Sequence, residues 1–457
     1  MNMSSGMSGA TRVFIARLLS EYGMFVVLLL LCLLFSLLTV REQHPSGEQA
    51  AVALSERLTD AGWRDRSVVI VARLDREDSL FAGAVKEALV RAGYSRVEVI
   101  RGDPASLREE LQQRAHSAVP TDLIAATYSL APIVQSIKAQ TSGLSSAEIV
   151  TPPTRRWPTF LLADNLRNVA NQITVIAIIA IGMTMVIITA GIDLSVGSLI
   201  ALSAVVTAWL IGKTGGEEAT VGAMILGSLG GMFVCGAIGA FSGLMITRFR
   251  IPPFIATLAM MQVAAGLGYI ISQGKPIYQL PEGFIWLGRG ADPLLRIPYA
   301  VILMFVLYAA AHVVMSRTTL GRYIYAVGGN IEAARLSGIR VKFILFFVYA
   351  VCGLLAGLGG VIMASQLKSG APTYGLTYEL YVIAAVVVGG TSLMGGEGRI
   401  LGTLIGAFVI GVVQNGMNLT NVETYTQKVV LGLIILGAVL LDRLKQQGFS
   451  WKRQRAP

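Results

Sequence analysis

Between residues 165 and 441 the sequence is a nearly unbroken series of apolar runs separated by short polar loops. Hydrocarbon offers no water to satisfy backbone N–H and C=O groups, so a chain of this kind folds as packed helices. A span needs about 20 apolar residues. The runs lie at 169–189, 194–212, 220–246, 252–272, 298–315, 343–366, 379–394, 399–417 and 427–441, and an earlier one lies at 24–40. The expected fold class is therefore an α-helical polytopic membrane protein of about ten transmembrane helices. The run at 194–212 opens in Gly and Ser, which suits a broken or re-entrant helix. Composition agrees: 54% of the residues are apolar and only 14% charged, too little charge to wet a soluble surface of this size. The 50 glycines suit helices that pack backbone to backbone.

The net charge of +10 follows membrane topology and shows no basic stripe interleaved with aromatics, which argues against nucleic-acid binding. Arg12, Arg17, Arg248, Arg250, Arg317, Arg322, Arg335, Arg340, Lys342, Arg399 and the basic tail alternate onto one side. Fewer basic residues (Lys213, Lys275, Arg289, Arg296, Lys368 and Lys428) fall on the other. The positive-inside rule then places both termini in the cytoplasm, as an even number of spans requires. No A-x-A-like site follows the run at 24–40, which reads as an uncleaved first helix. Cys32, Cys235 and Cys352 sit in apolar runs without metal-ligand or disulfide spacing. His44, His116 and His312 are scattered and build no catalytic constellation. Gly212-Lys213-Thr214 resembles the end of a phosphate-binding loop, but Thr207 stands where that motif needs Gly.

The expected organisation is a cytoplasmic N-terminus and first helix at 1–40, an inserted segment at 41–160, a membrane core at 161–445 and a basic cytoplasmic tail at 446–457. The inserted segment has ordinary charge density and alternates helical with β-branched stretches. Helices are expected at 48–61, 79–92, 104–115 and 131–139, and strands at 67–72, 96–100 and 122–126. Such alternation gives a small parallel sheet with helices on both faces, here an extracytoplasmic α/β domain inserted after the first helix. Thr151 to Pro158 reads as a stiff linker.

Three segments carry the chemistry. The first runs from Ala180 through Gly191-Ile-Asp-Leu-Ser-Val-Gly-Ser198. Asp193, the only clear acid within the membrane runs, sits at the edge of an apolar helix, where carboxylates face a cavity or a partner. With Ser195 and Ser198 it also reads as the N-cap of the next helix. Asn168, Asn171 and Gln172 are polar side chains entering a span and are secondary candidates for a pathway. The second segment is Gly321-Arg-Tyr-Ile-Tyr-Ala-Val-Gly-Gly-Asn-Ile-Glu-Ala-Ala-Arg-Leu-Ser-Gly-Ile339, with a short helix at 332–337 bracketed by glycines. The third, Val386 to Gly406, is dense in Gly around Glu397 and Arg399.

In this order the three segments closely resemble the permease subunits of ribose/xylose/galactose-type sugar ABC importers, and Pro253-Phe-Ile-Ala-Thr-Leu258 fits the same pattern. The resemblance covers 11–40 and 160–445. It implies a permease that moves a monosaccharide across the bacterial inner membrane. It implies a second permease copy, cytoplasmic ATP-binding subunits and a periplasmic sugar-binding protein as partners. It also implies no ATPase site or cofactor in this chain, with ATP held on the partner subunits. Gly329, Asn330, Glu332, Ala333, Arg335 and Gly338 fall in the ATPase-coupling loop of the pattern, and the Gly191–Ser198 segment is the expected pathway lining. Two other classes stay open on sequence alone: an ion-coupled secondary transporter, and a receptor sensing through residues 41–160. The insertion departs from the family pattern. Asp78 to Tyr94 resembles the first helix of a periplasmic sugar-binding lobe, but such proteins close two lobes over the sugar, and this segment supplies one lobe at most. Its strand-helix pattern and periplasmic placement suit a role in docking the binding protein or in holding the captured sugar near the pore; an inert packing insertion is the alternative.

Overall fold

The computed structural model describes the backbone of residues 9–116 and 120–453, and the side chains of 23–116 and 120–440. The extreme N-terminus and the last residues of the basic tail, both assigned above to the cytoplasm, lie outside the described residues. The chain divides into two compact units, one of residues 1–39 and 160–457 and the other of Val40–Thr159.

The smaller unit follows α1 (Gly9–Leu38) of the larger one and runs β1 (Val40–Gln43), α2 (Gly47–Asp60), β2 (Val68–Ala72), α3 (Arg76–Arg91), β3 (Val97–Arg101), α4 (Pro104–Ala115), β4 (Leu123–Ala126), α5 (Ala131–Gln140), β5 (Glu148–Val150) and β6 (Arg155–Pro158). Four strands form a parallel sheet in the order β3-β2-β4-β5, with Val68 opposite both Val97 and Leu123. The β-branched run Val68–Ala72 is buried along its whole length, because a parallel sheet is covered on both faces. Val68, Ile70 and Ala72 pack with Leu54 and Leu58 of α2 and Phe81, Val85 and Leu89 of α3. Val69 and Val71 point to the other face, with Leu107 and Leu111 of α4 and Val134 and Ile137 of α5. Two helices start at side-chain caps. Asp75 accepts from Asp78 N at 2.8 Å, and Asp103 accepts from Ser106 N at 2.8 Å just before Pro104.

The stretch Thr151–Pro158, read above as a linker, is a strand in its second half. Arg155–Pro158 pairs antiparallel with Val40–Gln43, from Gln43↔Arg155 to Val40↔Pro158. Pro152 and Pro153 fall before the strand, and Pro158 takes its last position, where a missing N–H is tolerated.

The larger unit holds α1 (Gly9–Leu38), α6 (Ala163–Ile188), α7 (Val196–Lys213), α8 (Val221–Phe249), α9 (Pro253–Ser272), α10 (Trp286–Arg289), α11 (Tyr299–Arg317), α12 (Thr319–Gly329), α13 (Ile331–Leu336), α14 (Val341–Leu367), α15 (Tyr378–Val388), α16 (Ile400–Leu419) and α17 (Thr424–Arg453). Among the described residues, α6, α7, α8, α9, α11, α14 and α16 are long and apolar enough to cross a membrane. Gly23–Leu38, Tyr378–Val388 and Thr424–Leu440 are shorter apolar helices. The run at 379–394 stays helical only to Val388, where Gly389 and Gly390, the latter at φ +89°, end it. Arg250 closes α8 in the left-handed region and Pro253 opens α9, the usual asymmetry of helix ends.

Burial places α6 at the centre: 89% of its apolar window is buried, against 22% for α9. Glycines bring α8 against α14. The Cβ positions of Gly239 and Gly353 each lie 3.1 Å from the other residue's Cα, and one on Gly357 would lie 2.8 Å from Met232 Cα. Small residues allow this approach where lipid supplies no hydrophobic drive between helices.

In the smaller unit Ser67 N and Ser67 Oγ donate to Asp122 Oδ2 at 2.8 and 3.0 Å, tying the start of β2 to that of β4. The Ser67 N–H holds the Asp122 carboxyl below the usual carboxylate range. A carboxyl lowered on folding stabilises the fold above its unfolded value of about 3.9, and that contribution is lost as pH falls through the folded value. Asp122→Ala should therefore reduce hydrogen-exchange protection of the β2 and β4 amides by about 1 kcal/mol at pH 7. The difference from wild type should narrow below pH of about 4.

Candidate functional site

The three sequence motifs meet at the end of α6. Its last carbonyl, Ile188 O, accepts from Gly396 N at 2.8 Å. A methyl group on Gly328 of α12 would run into the same carbonyl and stand 2.7 Å from Gly396 N. Gly395 and Gly396 take φ of +85° and +76°, a region open to Gly. A Cβ on Gly395 would meet Ala190 Cβ and Gly328 O, both at 2.9 Å. Tyr325 Oη of α12 donates to Gly398 O at 2.7 Å. Behind this junction Thr184 and Thr403 share a buried hydroxyl bond of 2.8 Å between α6 and α16.

Beyond Ile188 the chain does not pass straight into α7. Ala190 adopts φ +57°, Gly191 N reaches back to Val186 O at 3.0 Å, and α7 starts only at Val196. Helix α7 is then continuous to Lys213, so the break lies before the apolar run and not within it. The irregular stretch contains Asp193, which is fully buried. Asp193 Oδ1 accepts from Ser195 N at 2.9 Å and from Ser195 Oγ at 2.6 Å. The capping expectation changes accordingly. Ser195 occupies the N-cap position but turns its hydroxyl back to Asp193 and makes no cap bond, so Asp193 shapes the turn before the helix. Ser198, in the first turn of α7, is half-buried.

Asp193 Oδ2 and Tyr349 Oη are both buried without a hydrogen-bond partner among the described residues. The Tyr349 hydroxyl fills the notch left by Gly191, where a Cβ would collide with it. Cys352, one helical turn on, also lies beside Asp193. This buried polar group from α14 is not visible in the motif, because Tyr349 and Cys352 belong to an ordinary apolar run.

Glu379 is a second acid within the bundle and corrects the reading that Asp193 is alone. It sits in the first turn of α15, and a Cβ on Gly197 would collide with its Oε2. Its carboxylate therefore faces the N-terminus of α7, where the helix dipole favours negative charge. Its place at the head of the apolar run 379–394 was the available signal.

The expected coupling residues stand on two short helices. Asn330 caps α13, accepting from Ala333 N at 2.9 Å, and Arg335 pairs with Glu332 at 2.7 Å. Ala334 is buried and anchors the helix. Gly329, Glu332, Ala333, Arg335, Leu336 and Gly338 are exposed, Leu336 at 85%. Asn168, Asn171 and Gln172 are not brought near Asp193. They lie in the first turns of α6, and Asn168 is roughly 30 Å along the axis from Ile188 at 1.5 Å per residue. Asn168 and Gln172 are exposed, while Asn171 Nδ2 donates to Gly288 O at 3.2 Å. Asn165 and Asn415 exchange amide hydrogen bonds of 3.0 and 2.9 Å between α6 and α16, a pair sequence reading does not single out.

Two neighbouring glycines separate close packing from bystander chemistry. A Cβ on Gly328 has no room, whereas one on Gly329 meets nothing within 4 Å. Gly328→Ala should lower the thermal stability of the purified chain and its uptake activity, with a penalty of about 1–3 kcal/mol for overpacking. Gly329→Ala should leave the melting temperature unchanged.

A family model described as branched-chain amino acid transport system / permease component matches residues 165–439. The ribose import permease protein of Escherichia coli K12 is 46% identical over 294 residues, covering 63% of this chain and 88% of that protein. The D-allose transport system permease protein of the same strain is 39% identical, covering 62% and 85%. The L-arabinose ABC transporter permease protein of Azospirillum brasilense is 38% identical, covering 63% and 83%. No solved structure matches the chain significantly. The matched region contains all three converging motifs, and the chain belongs to this family of transport permeases, among the permeases of sugar ABC importers.

Proposed function

We propose that this chain forms half of a membrane pathway that carries a monosaccharide inward across the bacterial inner membrane, driven by ATP bound and hydrolysed on partner subunits. The observation that carries the reading is the junction at Ile188. There the exposed α12–α13 pair is fixed by backbone contacts to the end of the central helix α6 and to the Gly395–Gly398 turn. A push on α13 by a soluble partner is thereby transmitted to the turn that holds Asp193. The names of the relatives, for ribose import, D-allose transport and L-arabinose ABC transport, support a monosaccharide as cargo. They give no support to a secondary carrier or a receptor.

In this reading ten helices cross the bilayer, the seven long ones together with the apolar parts of α1, α15 and α17. Both termini and α12–α13 then face the cytoplasm, and residues 41–160 lie on the periplasmic side. The functional assembly contains a second permease copy, a cytoplasmic ATP-binding subunit and a periplasmic sugar-binding protein. No cofactor is held by this chain. Asp193, Ser195 and Ser198 line the pathway together with Glu379, while Asn168, Asn171 and Gln172 line its outer end. Uptake of labelled D-ribose, D-allose and L-arabinose into vesicles containing the assembled transporter tests the reading. Accumulation should require ATP inside the vesicles, and uptake driven by an imposed proton gradient without ATP would sink it.

Ala333→Glu should separate ATP hydrolysis from transport. The variant should insert and fold normally but lose uptake by about tenfold or more, because a coupling energy of 1–3 kcal/mol corresponds to roughly 5–150-fold. Normal uptake with a normally assembled ATPase would remove α13 from the coupling role.

Asp193→Asn keeps the shape and the turn-forming acceptor while removing the carboxylate. It should depress uptake with expression unchanged. Equal uptake would leave Asp193 only its turn-forming role.

A further inference from the structure

The family match begins at residue 165 and leaves the Val40–Thr159 unit without a role. Its sheet order is β3-β2-β4-β5. The chain lays β2 first, steps to β3 on one side, then crosses back to β4 on the other. The loops leaving the carboxyl ends of β2 and β4 therefore diverge. In open parallel sheets the crevice at such a reversal is where ligands bind.

The polar chemistry of the unit gathers at this edge. Arg73, the first residue after β2, reaches across the reversal. Its Nη2 donates to Ser129 Oγ beyond β4 at 2.6 Å, and its Nε donates to Asp78 Oδ2 at 3.0 Å. Asp78 is 5% exposed and also accepts from Arg73 N, so the guanidinium is fixed from both sides. Asp75 stands 3.6 Å from Arg73 Nε and is exposed. A guanidinium has five N–H donors, and these bonds use two of them. Next to Ser129, Tyr128 is 51% exposed and stacks at 3.4 Å and 7° on His44, from the loop after β1. The loop after β4 thus carries both a supported aromatic ring, at Tyr128, and, at Ser129, the hydroxyl that holds Arg73.

The charges select the ligand class. Asp75 and Asp78 compensate the charge of the Arg73 guanidinium, so its remaining donors suit a neutral acceptor. Among the described residues no cluster of metal ligands occurs. A neutral polyol answers both parts: its hydroxyls accept from Arg73 and donate to Asp75, and the C–H face of its ring lies on an aromatic side chain. We propose that the carboxyl edge between β2 and β4 is a monosaccharide-binding subsite, with Tyr128 as the stacking face and Arg73 and Asp75 as the hydroxyl-binding pair. The choice of a monosaccharide rests on the import reading above. The edge is open on one side, so binding is weak, with a dissociation constant on the order of 1 mM.

The test is saturation-transfer NMR on the full chain in lipid nanodiscs, with D-ribose, D-allose and L-arabinose offered singly. At least one should give a signal, which Tyr128→Ala and Arg73→Ala each weaken by about tenfold, while Tyr128→Phe and the surface variant Glu87→Gln leave it in place. No signal from any of the three overturns the proposal. A signal indifferent to Tyr128→Ala and Arg73→Ala, or lost only in Asp193→Asn, assigns the sugar to the membrane unit and overturns it too. Displacement by an equal concentration of inorganic phosphate marks an anion site and does the same. ATP-driven uptake by the same transporter is measured in parallel. Uptake without a Tyr128-dependent signal removes the subsite and leaves import standing.

Discussion

A single backbone hydrogen bond, from Gly396 N to Ile188 O, ties together the segments in which the motifs of this permease are concentrated. The last turn of any helix leaves carbonyls without partners, and here one of them is satisfied by a chain segment more than two hundred positions downstream. The bond forms only because Gly328 and Gly395 present no side chains to the junction. Three remote stretches of sequence meet at this point with no room for a side chain between them.

The turn that follows is costly and is placed accordingly. Non-helical backbone between two apolar helices needs protein around it to satisfy its polar groups, and the stretch around Asp193 is buried against α14. Burying a carboxylate without full satisfaction opposes folding. Asp193 receives two bonds at one oxygen from Ser195; its other oxygen and the Tyr349 hydroxyl are buried with no close partner among the described residues, and the Cys352 thiol lies alongside. Such an arrangement is at odds with the most stable fold and concentrates, in this chain, on the stretch that its motif density already singles out.

Sequence reading reached different parts of the molecule unequally. Long apolar runs translate directly into helices, so 343–366 became Val341–Leu367 within two residues at either end. Capping chemistry was equally readable at Pro104, because Asp and Pro act on their immediate neighbours. The β1–β6 pairing was not, since Arg155-Arg-Trp-Pro158 has no alternation and its partner is more than a hundred residues away. The partners of Asp193 were hidden for the same reason. Tyr349 and Cys352 are apolar-run residues whose significance comes from the crossing of α14 behind Gly191, and no local pattern records a crossing. Asn168 and Gln172 are singled out by polarity alone, and polarity does not say what the exposed face of a helix meets.

The pairing of Val40–Gln43 with Arg155–Pro158 makes the two ends of a domain of over a hundred residues leave from one narrow neck. Just inside the larger unit, Thr39 Oγ1 accepts from Phe160 N at 3.1 Å, so the last residue before the domain is clasped to the first one after it. To the helices on either side, the domain is equivalent to a tight hairpin. Its size adds nothing to the entropy of closing α1 onto α6, since the strands of the neck have already closed that loop. The span between α1 and α6 is thus set by the neck, whatever length of chain the neck encloses.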